Sequence, residues 1–278
     1  MEPTAVPDGL AVYVAGSGEP VLFMPGPHRF QRPGLFSADE LIDGLVGLGR
    51  QVVTFDPPSS GLSTRTARLG IAEMLQCARE ALAAAGVTTP VDALGHSMGG
   101  LALLSFALDS PQLVRRLVLV GTGTGGRAYM DAPGALWNRG HRGFPAVAAA
   151  GSLHLLVRRL GSERVLNNLI VRHSFQDESL AQFSAVRIGD WFKPARGRAD
   201  WHRIARRIDL GPLLGDVRAP ALVVCGRHDP QFPLACSIEL AEGIHGARLV
   251  VLEHSGHFPF IEEPADFWAA VRDFLAAA

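Results

Sequence analysis

The chain alternates between short, mostly apolar runs and longer stretches whose apolar residues recur at helical spacing. That pattern limits the fold more than any single motif. Leu10–Val14, Val21–Met24, Gln51–Phe55, Val91–Leu94, Arg116–Val120, Ala221–Val224 and Arg248–Leu252 are of the first kind. Ala38–Leu48, Ile71–Ala85, Met98–Leu108, Leu234–Glu242 and Ala265–Leu275 are of the second, with Phe267, Trp268, Val271, Phe274 and Leu275 on one face of the last. Strands apolar on both faces must be covered on both faces, and strands separated by helices pair in parallel. The predicted fold class is therefore α/β: a mostly parallel, doubly covered sheet.

The alternation stops between Gly125 and about Gly211. This stretch holds Trp137, Trp191 and Trp201, three of the 4 Trp in the chain. It is expected to be a helical cap inserted over the C-terminal edge of the sheet, where open α/β folds place their ligands. The predicted division is a core of residues 1–124 and 211–278 with a cap over 125–210.

Composition narrows the function classes. With 278 residues, 47% of them hydrophobic and 19% charged, the chain can bury a large core. A formal net charge of -1 lacks the basic excess of a protein built to grip nucleic acid. Cys77, Cys225 and Cys236 form no CxxC pair, which excludes a disulfide scaffold and a cysteine-based zinc module. The start, Met1-Glu2-Pro3-Thr4, has no basic n-region, and no run of about 18 apolar residues occurs. A cytoplasmic protein is expected, a monomer or homodimer with a small-molecule substrate and no nucleic-acid or membrane partner.

The chemistry starts at Gly95-His96-Ser97-Met98-Gly99, between the strand Val91–Leu94 and the helix from Met98. This is G-x-S-x-G in a strand–turn–helix context. A sharp turn there lifts the Ser97 hydroxyl clear of the backbone. Small residues let strand and helix approach, and the helix N-terminus favours negative charge where an oxyanion would form. A serine hydroxyl needs a base, itself held by a third group. Asp229 and His257 each lie in a loop just past a strand end, in the order that such a site requires. Asp229 alone would read as a turn residue before Pro230, and His257 alone as a surface histidine. Their joint placement favours convergence on Ser97.

With these residues in view the chain resembles the α/β-hydrolase superfamily over nearly its whole length outside the cap. Asp56-Pro57-Pro58-Ser59-Ser60-Gly61-Leu62-Ser63 is similar to the family's D-x-x-G-x-G-x-S loop. Pro111–Leu119 resembles the segment after the nucleophile helix, and the stretch from Gly256-His257 to Glu263-Pro264 resembles the terminal signature. The resemblance implies Ser97 as nucleophile, Asp229 as orienting acid and His257 as base, with no cofactor and no metal. A Ser at the elbow speaks against the branches that cleave epoxides or carbon–halogen bonds through an ester on Asp.

Two departures stand out. Ser59 occupies a position where the loop usually has Gly. In the oxyanion loop the family has His-Gly-x, with x donating a backbone N–H, whereas this chain reads Pro25-Gly26-Pro27-His28-Arg29. Pro27 has no N–H. The expected donors are Met98 N–H and, through a shifted loop, His28 N–H.

Other signals are set aside. Gly121-Thr122-Gly123-Thr124-Gly125-Gly126 spells G-x-G-x-x-G but lacks an acidic residue about 20 positions on, and reads as the exit into the cap. His228, Asp229, His254 and His257 do not have the spacing of a helix-borne metal motif. His96 reads as a packing residue. The basic stretch from Lys193 to Arg207 reads as a solvated return to the core. In the cap, Trp137, His141, Asn168 and Trp191 are the candidates for lining a pocket. The expected function is hydrolysis of a small, mostly apolar ester or lactone. The alternatives are a carbon–carbon bond hydrolase, a non-hydrolytic lyase or cyclase, and a hydrolase-derived small-molecule sensor.

Overall fold

A computed structural model describes residues 2–26, 36–67, 70–126, 128–157, 160–180 and 205–277. Its centre is a 7-stranded sheet of β1 (Val12–Ala15), β2 (Glu19–Met24), β3 (Arg50–Phe55), β4 (Val91–His96), β5 (Val114–Val120), β6 (Ala221–Gly226) and β7 (Arg248–Leu252), in the order β1-β3-β2-β4-β5-β6-β7. β1 runs antiparallel to β3, and every other pairing is parallel. The strand order reverses at β2: the chain steps outward to β3, then crosses to β4 and proceeds the other way. Ligands of open α/β sheets bind at such a reversal, outside the carboxyl ends of the strands. The register brings those ends level, with Met24 opposite Gly95, His96 opposite Val120, and Gly226 opposite Leu252.

Both faces of the sheet are covered, as the uninterrupted apolar runs require. Leu22, Val53, Val223 and Leu119 pack with α2 (Ile71–Ala84), α3 (Met98–Asp109) and α7 (Leu234–Gly243) through Leu75, Leu101, Phe106 and Leu240. The adjacent residue on each strand turns the other way. Phe23, Val52, Leu222 and Val118 pack with α1 (Phe36–Gly47) and α9 (Pro264–Ala276) through Leu41, Leu45, Phe267 and Val271. The alternation follows from the two-residue period of a strand. Each such side chain taken fully out of water contributes about 1.5–3 kcal/mol.

Between β5 and β6 lie α4 (Ala128–Asp131), α5 (Phe144–Val157) and α6 (Leu160–Ser174). The chain leaves and re-enters the sheet side by side. Gly125 bridges Asp209, Gly126 N–H donates to Ala205 O at 2.8 Å, and Leu210 N–H donates to Thr124 O at 3.0 Å. The glycine-rich run after β5 is thus the exit from the sheet. Of the basic stretch 193–207, only 205–207 lie among the described residues.

At the opposite end of the sheet, Asp92 is buried at the start of β4 among three arginines. Arg115 Nε and Nη2 donate to it at 2.8 and 2.9 Å, Arg50 Nη1 lies at 3.3 Å and Arg116 Nη1 at 3.6 Å. Arg50 also donates to Leu275 O at 2.8 Å, which ties in the end of α9. Among the described residues, no helix is long and apolar enough to cross a membrane.

Candidate active site

Ser97 sits in the turn from β4 into α3 with φ 56 and ψ -127, one of three non-glycine residues with positive φ among those described. That conformation is costly for a residue with a Cβ and persists only where the surroundings over-determine it. Here Ser97 N–H donates to Val120 O at 2.9 Å, and Ser97 O accepts Thr122 Oγ1–H at 2.6 Å and Leu101 N–H at 3.2 Å. The turn also needs glycine beside it. A Cβ on Gly95 would stand 2.7 Å from Gly99 O and 2.9 Å from Gly100 Cα. Met98 is the first residue of α3, so its N–H has no partner within the helix and lies at the positive end of the helix dipole.

Asp229 follows β6, and His257 follows β7. Ser97, Asp229 and His257 are 6%, 3% and 2% exposed. Asp229 Oδ2 lies 2.8 Å from His257 Nδ1. Its other oxygen accepts Gln231 N–H at 2.8 Å and Phe232 N–H at 2.9 Å. Asp229 is therefore both the turn residue before Pro230 and the partner of the histidine. The turn fixes one oxygen and aims the other. A carboxylate only accepts, so Nδ1 carries the proton and Nε2 of a neutral ring keeps its lone pair, the form a general base needs.

The His257 backbone is held on both sides. Its N–H donates to Ser174 O, at the end of α6, at 2.7 Å. Its C=O accepts Nε2–H of His96 at 2.8 Å, and the two imidazole centroids are 4.6 Å apart. Burial, and then the neighbouring His257, hold His96 well below the usual imidazole value, so it is a neutral donor. Phe232 stacks on His257 at 6.1 Å, and Tyr129 stacks on Phe232 at 5.2 Å.

The stretch between β5 and β6 also reaches the acid loop. Leu136 N–H donates to Pro230 O at 2.6 Å, and Gln231 Nε2 donates to Ser174 Oγ at 2.8 Å. Glu262, at the end of α8 (Pro259–Glu262), accepts Gly256 N–H at 2.7 Å on Oε2. Its Oε1 accepts Gln176 N–H at 2.7 Å and Asp177 N–H at 3.3 Å. Burial pushes this carboxyl above the ordinary 4.5, against the pull of those three amides. Glu263 accepts His254 N–H at 2.9 Å and the Ser255 hydroxyl. Cys225 and Cys236, on the same side of the fold, are buried and pushed up to about 11 and about 12 by desolvation, so neither offers a thiolate nucleophile near neutral pH.

Ser97, Met98, Asp229 and His257 thus gather at the carboxyl ends of β4, β6 and β7. The other predicted site residues are placed differently. His28, with Pro27, and Trp191 lie outside the described residues. Asn168 falls within α6, described there by its backbone alone. Trp137 is half-buried, next to the Leu136 contact with the acid loop. His141 is engaged locally: Nδ1 accepts Gly143 N–H at 3.0 Å, and burial, then nearby His173, lower its pKa.

Sequence reasoning missed Ser174, Gln231 and Glu262, and it took His96 for packing alone. Two consecutive acids after the apolar His257–Ile261 run were a signal for Glu262, because an acid that close to a buried loop needs donors. Ser174 had none, since its main contact is made by a backbone carbonyl.

A family model described as the alpha/beta hydrolase fold matches residues 32–264. A 2-hydroxy-6-oxononadienedioate/2-hydroxy-6-oxononatrienedioate hydrolase of Klebsiella pneumoniae is 30% identical over 85% of this chain and 80% of its own length. An alpha/beta fold family hydrolase of Bacillus anthracis superposes with a TM-score of 0.79 at 21% identity, covering 97% of this chain and 96% of its own. The enol-lactonase of Burkholderia xenovorans superposes at 0.71 with 20% identity, covering 96% of each chain. With most of its length inside the family match, the chain belongs to the alpha/beta hydrolase fold family and is a hydrolase.

Proposed function

We propose that the chain is a serine hydrolase that acts by acyl transfer on a small, mostly apolar ester or lactone. The observation that carries this reading is the buried Asp229–His257 hydrogen bond of 2.8 Å at the strand ends beside the strained Ser97 turn. His257 Nε2 takes the Ser97 hydroxyl proton as Oγ attacks the carbonyl carbon. Asp229 holds the ring tautomer and balances the imidazolium that forms. Met98 N–H, with His28 N–H as the second donor, receives the oxyanion. Collapse of the tetrahedral species expels the alkoxide, which takes the proton from His257. Water then enters, gives a proton to His257 and its oxygen to the acyl carbon; the second tetrahedral species breaks the bond to Ser97 Oγ, which takes that proton back from His257 as the acid leaves.

In this reading residues 125–210 form the cap, and Trp137, Asn168, Trp191 and His141 are candidates for the pocket wall. A second reading is favoured by the 30% identity to a dienedioate hydrolase and by further relatives of the same name. A carbon–carbon bond hydrolase would use the same three side chains, with a carbanion in place of the alkoxide as leaving group.

Two measurements test the proposal. A fluorophosphonate should modify Ser97 and leave Ser97→Ala unlabelled; labelling that persists in the variant removes Ser97 from its role. Turnover of a panel of esters, lactones, amides and 1,3-diketones should favour the first two. It should fall about 10⁴-fold or more in Ser97→Ala, and by roughly 10³–10⁴ in Asp229→Asn, where the wrong tautomer is favoured. Preference for the diketones selects the carbon–carbon reading.

A further inference from the structure

The Glu262 carboxylate joins two parts of the chain that no strand pairing connects. Oε2 accepts the N–H of Gly256, the residue before His257. Oε1 accepts the N–H groups of Gln176 and Asp177, just past the end of α6. The same end of α6 supplies Ser174 O to the N–H of His257 at 2.7 Å. Close approach is built into this junction. A Cβ on Gly256 would lie 2.2 Å from Ser174 O and 3.0 Å from Gln176 N, so only glycine lets the two segments meet. Among the described residues, the core's bond to the His257 backbone is from His96 Nε2–H to the carbonyl. The amide side of His257 is therefore set by a segment outside the sheet, which Glu262 holds through the Gln176 and Asp177 amides and Gln231 Nε2 holds through Ser174 Oγ.

We infer that Glu262 is a positioning residue for His257, clamping the end of α6 to the loop that carries the base. It touches no reacting atom. Charge-assisted bonds from three backbone amides make a stiff joint, and a displacement of about 1 Å at a base can cost on the order of 10²-fold in rate. The inference rests on the reading of His257 as the base of a Ser97 hydrolase.

The test compares wild type, Glu262→Ala, Glu262→Gln and Ser97→Ala in the full chain, on the best ester of the panel. Activity is expressed per serine labelled to completion by fluorophosphonate, which removes any loss of folded protein. Glu262→Ala should lower kcat about 10- to 100-fold with KM changed less than about threefold. It should slow the labelling by a similar factor. Glu262→Gln keeps one acceptor oxygen and should fall between the two. A residue that only stabilises the fold would lower Tm and leave kcat per labelled serine within about twofold of wild type, and that result overturns the inference. Activity surviving in Ser97→Ala would instead overturn the reading beneath it. Amide exchange of the unsubstituted protein supplies an answer even if both Glu262 variants fail to fold. Gly256, Gln176 and Asp177 should share one opening free energy, and independent exchange of Gly256 would overturn the clamp.

Discussion

His96 precedes the candidate nucleophile in the chain, and its ring centroid lies 4.6 Å from that of the candidate base, in a buried environment that disfavours its charged form. Its ring is buried against His257, Phe258 and Phe260, and Nε2–H is spent on the His257 carbonyl. Its folded pKa is depressed below the ordinary 6.5, so the unfolded chain takes up a proton at a pH where the native ring does not. The sign follows from linkage. The stabilisation is present above pH 6.5 and is lost as pH falls, at up to about 1.4 kcal/mol per pH unit for one proton. Urea unfolding between pH 7.5 and 5 should show that slope. His96→Gln, which keeps an N–H donor and cannot titrate, should flatten it by about one proton. An unchanged slope would mean that other groups carry the acid sensitivity. In sequence His96 is one polar residue of a pentapeptide, and its role depends on a partner 161 positions away. Asp229 was legible because a strand end and a proline mark it.

At the scale of elements, strands buried on both faces announced themselves, while their ends and their partners did not. Glu19, Arg50 and His96 extend β2, β3 and β4 past their apolar runs, because backbone pairing continues after the burial signal has stopped. The antiparallel placement of β1 on β3 was not legible: it joins residues about forty apart through a register that neither strand encodes alone. The loop 56–63 shows the opposite case, in which one residue carries a backbone constraint. Asp56 Oδ2 accepts the Tyr13 hydroxyl and Leu62 N–H, both at 2.7 Å, which winds the loop tightly around the carboxylate. Ser59 consequently sits at φ 61, where the related pattern has Gly. A left-handed non-glycine residue costs about 1–2 kcal/mol, and glycine gives back part of that through the unfolded chain. Ser59→Gly should therefore raise stability by about 0.5 kcal/mol. Gly61→Ala should lower it by about 2 kcal/mol or more, since its Cβ would stand 1.8 Å from Asp56 Oδ2. Denaturant midpoints measure both, and a destabilised Ser59→Gly would mean that its side chain outweighs the backbone strain.

Across the whole molecule, the two ends of the sheet carry different buried polar groups. Its carboxyl ends hold Ser97, Asp229 and His257. The amino end of β4 holds Asp92, wholly buried, with Arg50, Arg115 and Arg116 drawn from β3 and β5. Arg50 passes the connection to the last turn of α9 through Leu275 O, so one carboxylate organises three strands and the final helix. Removing one partner of a buried pair costs about 3–5 kcal/mol, because the charges left behind remain desolvated. Arg115 is 36% exposed and keeps part of its hydration, which lowers the cost here. Asp92→Asn preserves shape and one acceptor while deleting the charge, and should destabilise the protein by about 2–3 kcal/mol. Its kcat and KM at 25 °C should stay within about twofold of wild type, since the register of β4 against β2 and β5 places Asp92 a full strand length from Ser97. Equal losses of kcat and stability would mean that the bottom of the sheet is coupled to the Ser97 turn through β4. An unchanged denaturant midpoint would mean that the arginines are already solvated, with Asp92 one ligand among several.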